Sequence, residues 1–96
     1  MIRSFRDQLT ADLFYGAPSV KLRKVPPDVI KTAQRKLLML DAASRLSDLR
    51  VPPNNRLEAL RGNLSGYHSI RANDQWRIVF RWQSDGAHEV WFTDYH

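Results

Sequence analysis

The three C-terminal residues, Asp94, Tyr95 and His96, bring together side chains that can move protons. From Val90 onward the chain alternates apolar and polar residues, so we expect it to end inside a β-strand. Such an ending places a phenol, an imidazole and the α-carboxylate at one point. His, with an unperturbed pKa near ~6.5, exchanges a proton at neutral pH. The alternative is an ordinary solvated terminus, because chain ends usually fray. In a basic protein we favour chemistry on an anionic substrate.

The composition predicts one small domain over residues 1–96. A hydrophobic content of 43% excludes a wholly disordered chain, and the absence of cysteine excludes disulfides and thiolate metal sites. With only three histidines, we expect neither a metal nor another cofactor. No apolar run approaches a membrane span and the first six residues do not form a signal peptide, so we expect a cytoplasmic protein with no membrane partner.

The charge pattern indicates an anionic partner. Lys and Arg total 15 against 10 acidic residues, which gives a net charge of +5. Eleven of the basic residues are Arg, whose planar guanidinium grips phosphate and stacks on bases. The partner is then a nucleic acid or an acidic protein. The alternative is a basic surface that only keeps the protein soluble.

The first half of the chain reads as helical. Residues 2–5 are a candidate short strand, and Thr10 is a candidate cap for a brief helical turn that ends at Gly16. Pro26-Pro27 opens the clearest helix. Its inward stripe is predicted to contain Ile30, Ala33, Leu37, Leu40 and Ser44, widened by Leu38, with Lys31, Arg35, Lys36 and Asp41 toward the other side.

The second half reads as antiparallel strands separated by turns. The candidate strands are residues 56–60, 67–72, 76–82 and 88–96. Helices followed by a run of strands predict an α+β fold, with the N-terminal helices packed on one face of a small antiparallel sheet.

The period of two divides the strand residues between two faces. The core face is predicted to carry Ile70, Ile78, Phe80, Val90 and Phe92. The opposite face is predicted to carry Tyr67, Ser69, Arg71, Arg77, Val79, Arg81, Trp91, Thr93 and Tyr95. Arginines interleaved with aromatics suit a bound RNA strand, because Arg holds phosphate while rings stack on bases. Trp76 and Trp82 have the inward parity, so we expect them to pack in the core.

The chain resembles the HigB toxins of the RelE/ParE superfamily, which belong to type II toxin–antitoxin systems. The resemblance rests on RLEALRGN at residues 56–63, SIRANDQWRIVF at residues 69–80 and DYH at residues 94–96. It implies a curved sheet whose concave face receives RNA. It also implies an mRNA endoribonuclease that acts in the ribosomal A site and is blocked by a helix-turn-helix, HigA-like antitoxin.

The resemblance also implies roles for individual residues. Arg77 stands where the family has a phosphate-gripping arginine, and Asp94, Tyr95 and His96 match its terminal catalytic triplet. Arg61 stands where a lysine is common, and Glu58 where some members have histidine. The second family arginine corresponds to Arg71 or to Asn73. Arg81 and Trp91 are expected to complete the substrate-binding surface.

The sequence is compatible with several assignments of these roles. Glu58 or His96 could be the general base, and His96 or Tyr95 the acid. Glu58 could instead pair with Arg56 or Arg61, and Asp94, on the core-facing parity, could orient His96 or cap a helix. For the whole protein, the alternatives are a gyrase-inhibiting toxin of the ParE type and a non-catalytic RNA- or protein-binding module.

Overall fold

The computed structural model describes residues 1–94 and confirms the α+β prediction. Two α-helices come first, and a four-stranded antiparallel sheet in the order β1-β2-β3-β4 follows. The elements are α1 (Gln8–Tyr15), α2 (Pro27–Ala42), β1 (Glu58–Ala59), β2 (His68–Arg71), β3 (Trp76–Gln83) and β4 (Gly86–Asp94). Short 3-10 helices span Lys21–Lys24, Leu46–Arg50, Pro53–Asn55 and Gly62–Leu64. No helix of residues 1–94 has the length and apolar character needed to cross a bilayer.

Helix α1 is capped by Asp7, and the prediction that Thr10 caps it is wrong. The Asp7 carboxylate accepts a hydrogen bond from Thr10 N at 2.9 Å, and Gly16 ends the helix in the left-handed conformation. Thr10 lies one turn further in, where it is fully buried. Its Oγ1 accepts a hydrogen bond from Phe92 N at 3.0 Å. The hydroxyl that sequence assigned to a cap therefore joins α1 to β4.

Helix α2 begins at Pro27, as predicted, and packs on the sheet through one apolar stripe. Ala33, Leu37 and Leu40 are fully buried. The predicted edges of this stripe are shifted, because Val29 is buried while Leu38 and Ser44 are exposed.

Lys36 points inward, contrary to the prediction. Its side chain is buried, and Nζ donates a 2.5 Å hydrogen bond to Oδ1 of the fully buried Asn55. The Asn55 amide in turn donates to the carbonyl of Leu49 at 3.1 Å. Burial lowers the pKa of Lys36, and the positive charges of Arg35 and Arg71 lower it further. Asn55 thus helps to hold the lysine inward, because it accepts a hydrogen bond from the ammonium group.

The core lies between the two helices and one face of the sheet. Trp76 stacks on Phe92 with ring centroids 4.6 Å apart, and Trp82 meets Phe80 edge-on at 6.5 Å. Both tryptophans are packing residues, as predicted. The fully buried members of the core include Leu13, Leu37, Leu40, Ile70, Ile78, Phe80, Val90 and Phe92.

The N-terminal segment runs along the outer edge of β4 but is not a strand. It forms two isolated parallel bridges, Ile2 with Ala87 and Phe5 with Val90. Arg6 N donates to the Val90 carbonyl at 2.9 Å, and Ala87 N donates to the Met1 carbonyl at 2.9 Å. The segment therefore covers an edge that would otherwise expose unpaired backbone groups.

A β-bulge interrupts the predicted alternation of β4. Val79 pairs with Trp91 and Arg81 pairs with His88, so Glu89 and Val90 together face the single residue between them on β3. Glu89 has φ +51, which is the left-handed region. An uninterrupted alternation would put His88 on the core face, whereas the bulge puts Ala87 there and pairs His88 with Arg81.

Candidate active site

The face of the sheet opposite the helices, here called the outer face, carries two rows of cross-strand partners. Such partners lie side by side on one face. The first row is Glu58, Ser69, Val79 and Trp91, one residue from each strand. The second row is Arg71, Arg77 and Thr93. The division of faces predicted from alternation is confirmed for the members of both rows on β2, β3 and β4.

The second row concentrates positive charge beside the turn between β2 and β3. Arg71 forms an ion pair with the exposed Asp74, and its Nε is buried without a hydrogen-bond partner among residues 1–94. The hydrogen bond from Arg71 lowers the pKa of Asp74, and the charges of Arg71, Arg56 and Arg77 lower it further. Three guanidinium groups thus act on one carboxylate, in a place where an anion is stabilised.

The turn itself fixes the direction of Arg77. Asn73 Oδ1 accepts hydrogen bonds from the backbone N–H groups of Gln75 at 2.8 Å and Trp76 at 2.7 Å. Arg77 Nη1 then donates to the backbone carbonyls of Asn73 and, at 3.3 Å, Trp76. The Asn73 side chain therefore shapes the turn, while Arg71 stands beside Arg77 on the outer face.

Glu58 and Arg61 lie at the edge of the sheet that β1 forms. Glu58 is exposed, and within residues 1–94 it forms no ion pair with Arg56, with Arg61 or with any other cation. Its diagonal neighbour on β2 is Arg71, since Glu58 pairs with Ser69. Diagonal neighbours are ~7–8 Å apart, a distance that long side chains bridge. Arg61 is exposed in the loop after β1.

Within residues 1–94, Trp91 and Tyr67 of the outer face each have an arginine close to the ring. The guanidinium carbon of Arg6 lies 4.0 Å from the ring centroid of Trp91. The guanidinium carbon of Arg81 lies 5.5 Å from the ring centroid of Tyr67. Glu89 links Tyr67 to Arg81. Its carboxylate accepts hydrogen bonds from Tyr67 Oη at 2.9 Å and from Arg81 Nη1 at 3.4 Å.

Sequence reasoning missed both Arg6 and Glu89. Arg6 reaches the outer face from a segment outside the named strands, and nothing in its local sequence signals this position. Glu89 has the same parity as Trp91, so strict alternation places Glu89 on the outer face. In an uninterrupted register Glu89 would be the direct partner of Arg81. The bulge gives that place to His88, yet the Glu89 carboxylate still accepts from Arg81 Nη1 at 3.4 Å.

Strand β4 ends beside the arginine pair. Thr93 is the cross-strand partner of Arg77. Asp94 is the partner of Trp76 and therefore belongs to the opposite face of the sheet. Asp94 Oδ2 accepts a hydrogen bond from Gln75 Nε2 at 2.9 Å. Tyr95 and His96 lie outside the described residues, so their approach to Arg77 stays a prediction. Among residues 1–94, no three His, Asp or Glu side chains form a group able to hold a metal ion.

Comparison with known proteins assigns the family. Residues 3–96 match the family model described as the RelE-like toxin of type II toxin-antitoxin system HigB. The chain belongs to the HigB-like toxin family. It is 47% identical to Toxin HigB-1 of Vibrio cholerae over 74 residues, and this match covers 77% of each chain. It is 30% identical over 97 residues to Endoribonuclease HigB of Proteus vulgaris, which covers 100% of each.

Solved structures confirm the RelE-like fold of this HigB-like toxin. A YoeB-YefM complex from Staphylococcus aureus matches with a TM-score of 0.62 at 17% identity, covering 100% of this chain and 98% of the other. The YoeB dimer from the same organism matches with a TM-score of 0.60 at 21% identity, covering 99% and 94%. The HigB family match includes both rows of the outer face and the C-terminal triplet.

Proposed function

We propose that this HigB-like toxin is a ribosome-dependent endoribonuclease that cuts mRNA in the A site. The observation that carries the proposal is the juxtaposition of Arg71 and Arg77 on the outer face, next to the end of β4. Two cations at this point fit a phosphodiester, and the sequence continues from Asp94 into Tyr95 and His96. The name of the Proteus vulgaris relative, Endoribonuclease HigB, supports the same class of reaction.

The proposed reaction is attack by the RNA on its own backbone. The ribose 2′-oxygen loses its proton and bonds to the adjacent phosphorus, and the bond from phosphorus to the 5′-oxygen breaks. The leaving 5′-oxygen takes up a proton, which gives a 2′,3′-cyclic phosphate and a 5′-hydroxyl. This reaction needs a base, an acid and cations that stabilise the added negative charge. None of its steps uses a metal ion.

The cations of the second row supply the electrostatic part. Arg77 is held by backbone carbonyls and Arg71 by a fully exposed turn carboxylate, so both guanidinium groups are directed before RNA arrives. Preorganised donors aimed at developing charge contribute about 10²–10³-fold in comparable sites. In this proposal Arg77 and Arg71 stabilise the phosphorane.

Proton transfer is assigned to the groups that flank this pair. Glu58 on β1 is the candidate base, with His96 as the other, and His96 or Tyr95 is the candidate acid. General acid–base groups contribute typically ~10²–10⁴-fold. Asp94 has the opposite parity and a hydrogen bond from Gln75, so we assign it a positioning role at the end of β4.

The remainder of the outer face would hold the mRNA strand. Trp91 and Tyr67 offer rings for bases, and Arg61 and Arg81 offer charge for phosphates. Asn73 contributes by shaping the turn beside Arg77. The ribosome would present the unpaired A-site codon to this face.

We also propose a helix-turn-helix, HigA-like antitoxin as the partner. The family is described as the toxin of a type II system, which pairs a toxin with an antitoxin. The 3-10 helix Lys21–Lys24 exposes three cations and buries Leu22, and it suits an acidic segment of such a partner. Copurification with the product of the neighbouring gene tests the pairing. Failure to associate at micromolar concentration would contradict it.

The catalytic proposal is tested with purified protein in a reconstituted translation system. A defined mRNA is translated, and the cut ends are mapped and their termini identified. We expect cuts inside codons, 2′,3′-cyclic phosphate ends, no cutting without ribosomes, and no cutting at a site carrying a single 2′-deoxy substitution. Cuts that survive the 2′-deoxy substitution would exclude attack by the 2′-oxygen. Inhibition of DNA gyrase without any mRNA cut would favour the ParE-type alternative.

A further inference from the structure

We infer that Tyr67 and Arg81 form a second phosphate-binding site on the outer face, in which the carboxylate of Glu89 occupies the place of an RNA phosphate. The inference rests on the proposed function, because it takes RNA to be the ligand of this face. The second site would bind an RNA phosphate other than the one that reacts. The inference also assigns a role to Glu89, an acidic residue on a face otherwise suited to anions.

The site is defined by two donors from different parts of the sheet that converge on one anionic group. Tyr67 precedes β2 and Arg81 lies on β3. Tyr67 Oη donates to Glu89 Oε1 at 2.9 Å, and Arg81 Nη1 donates to Oε2 at 3.4 Å. The two oxygens of one carboxylate therefore each have a donor, which is the arrangement that two oxygens of a phosphate would use.

Glu89 extends its carboxylate to this site from the bulge of β4. Glu89 occupies the bulge of β4 with φ +51, a conformation that usually belongs to glycine at such a position. Its backbone N–H donates to Ser4 Oγ at 2.8 Å, which fixes the bulge against the N-terminal segment. Glycine would serve the bulge with less strain, so glutamate at this position carries a conformational cost.

The contact between Glu89 and Arg81 is weak enough to be exchanged. The two side chains are 45% and 47% exposed, and an ion pair in water at that exposure gains little. Arg81 uses one of its five N–H donors on Glu89. The phosphodiester of RNA carries the same single negative charge and two non-bridging oxygens, so it can replace the carboxylate at the same guanidinium.

The position of Arg81 determines which ligands can reach both sites. Arg81 and Arg77 are four residues apart on β3 and on the same face, a separation of about 13 Å at the rise of a strand. An extended RNA strand along β3 spans that distance, whereas a dinucleotide held at Arg77 does not. The second site thus selects for a continuous single strand.

The test is the affinity of the purified protein for 2′-O-methyl oligoribonucleotides, which the proposed reaction does not cut because the nucleophile is blocked. We compare Glu89→Gln with Asp28→Asn, which makes the same charge change at an exposed position in the first turn of α2. For an octanucleotide we expect Glu89→Gln to bind about two- to fivefold more tightly than Asp28→Asn, as the loss of one exposed ion pair allows. For a dinucleotide the two variants should bind alike.

A double-mutant cycle then ties the gain to Arg81. The gain from Glu89→Gln should disappear in an Arg81→Gln background, and Tyr67→Phe should reduce it. Equal affinities of Glu89→Gln and Asp28→Asn for the octanucleotide would overturn the inference. So would weaker binding by Glu89→Gln, which would make Glu89 a residue that positions Arg81. If the unaltered protein does not bind the octanucleotide at all, the inference fails as well. The proposed function is decided separately, by ribosome-dependent cutting of a defined mRNA, so the two failures are distinguished.

Discussion

Arg71 on β2 and Arg77 on β3 are direct cross-strand partners on the outer face of the sheet. Like charges in this position destabilise a sheet, so the pairing has a cost that packing does not explain. Asp74 offsets the charge of Arg71 from the turn, while Arg77 is hydrogen-bonded to the backbone carbonyls of Asn73 and Trp76. The pair is therefore organised for an anion from outside the protein, which is the basis of the first prediction.

Arg77→Ala should remove most of the mRNA cleavage and leave the domain folded. The loss of charge at the reacting phosphate should cost about 10²-fold or more in rate. The free energy of unfolding should change little, because relief of the repulsion with Arg71 offsets the lost hydrogen bonds of the guanidinium. Cleavage in the reconstituted system and urea denaturation measure the two effects.

Arg35→Ala is the matched control for this change. Arg35 is an exposed arginine on α2, in the layer behind the sheet. It should retain normal cleavage with the same loss of net charge. Equal activity of the two variants would remove Arg77 from the site, and unfolding of Arg77→Ala alone would make Arg77 a structural residue.

Much of this surface was predictable because strands β2 and β3 follow a regular period of two. Arg71, Arg77 and Trp91 could be assigned to one face from alternation, and the core partners followed from the same parity. The bulge at Glu89 could not be predicted, since a left-handed non-glycine residue has no local sequence signal. The sequence gives Arg6 no marker either, because tertiary bridges to β4 set its position.

The two N-terminal errors have a similar origin. Thr10 is a good capping residue, but Asp7 lies three residues earlier and caps better for this backbone path. Lys36 was assigned to the solvent face by helical period, which says nothing about a buried acceptor such as Asn55. Thr10 accepts a hydrogen bond from Phe92 and Lys36 donates one to Asn55, so both side chains are held by contacts with distant parts of the chain.

Gly86→Ala should destabilise the fold by loosening the N-terminal segment. A methyl group on Gly86 would collide with the carbonyl of Met1, and that carbonyl is the acceptor for Ala87 N. Overpacking of this kind costs about 1–3 kcal/mol. Gly66→Ala is the control, because Gly66 also has a positive φ but has open space around its Cα. Thermal unfolding compares them, and an equal loss in both would refute the steric argument.

Lys36→Met should change how stability depends on pH. The folded-state pKa of Lys36 lies below 10.5, so in the window between the two values the unfolded chain binds more protons than the folded one. Stability contributed by this group therefore rises as pH rises through that window toward 10.5. The unaltered protein should gain stability relative to Lys36→Met over this range. Lys31→Met, at an exposed position on the same helix, should follow the unaltered protein, and parallel curves for all three would contradict the buried-ammonium assignment.

Tyr95 and His96 are the residues on which the proton-transfer proposal depends most. Thr93 is the cross-strand partner of Arg77, and Gln75 binds the side chain of Asp94 through a 2.9 Å hydrogen bond, so the chain enters its last two residues from a fixed point. Deletion of His96 should slow cleavage by about 10²-fold, as expected for loss of a general acid or base. A tag added after His96 should also impair cleavage, since displacing a reacting group by ~1 Å costs ~10²-fold.

Two comparisons separate proton transfer from simple occupancy of this position. His96→Gln retains a hydrogen-bond donor but does not titrate, so it should be as slow as the deletion if His96 moves a proton. A tag on Met1, which is exposed, should cost less than a tag after His96. The measurement is ribosome-dependent cutting of a defined mRNA, with folding followed by circular dichroism. If the chain lacking His96 cuts as fast as the intact chain, His96 takes no part in proton transfer, and Glu58 with the arginines must carry the chemistry.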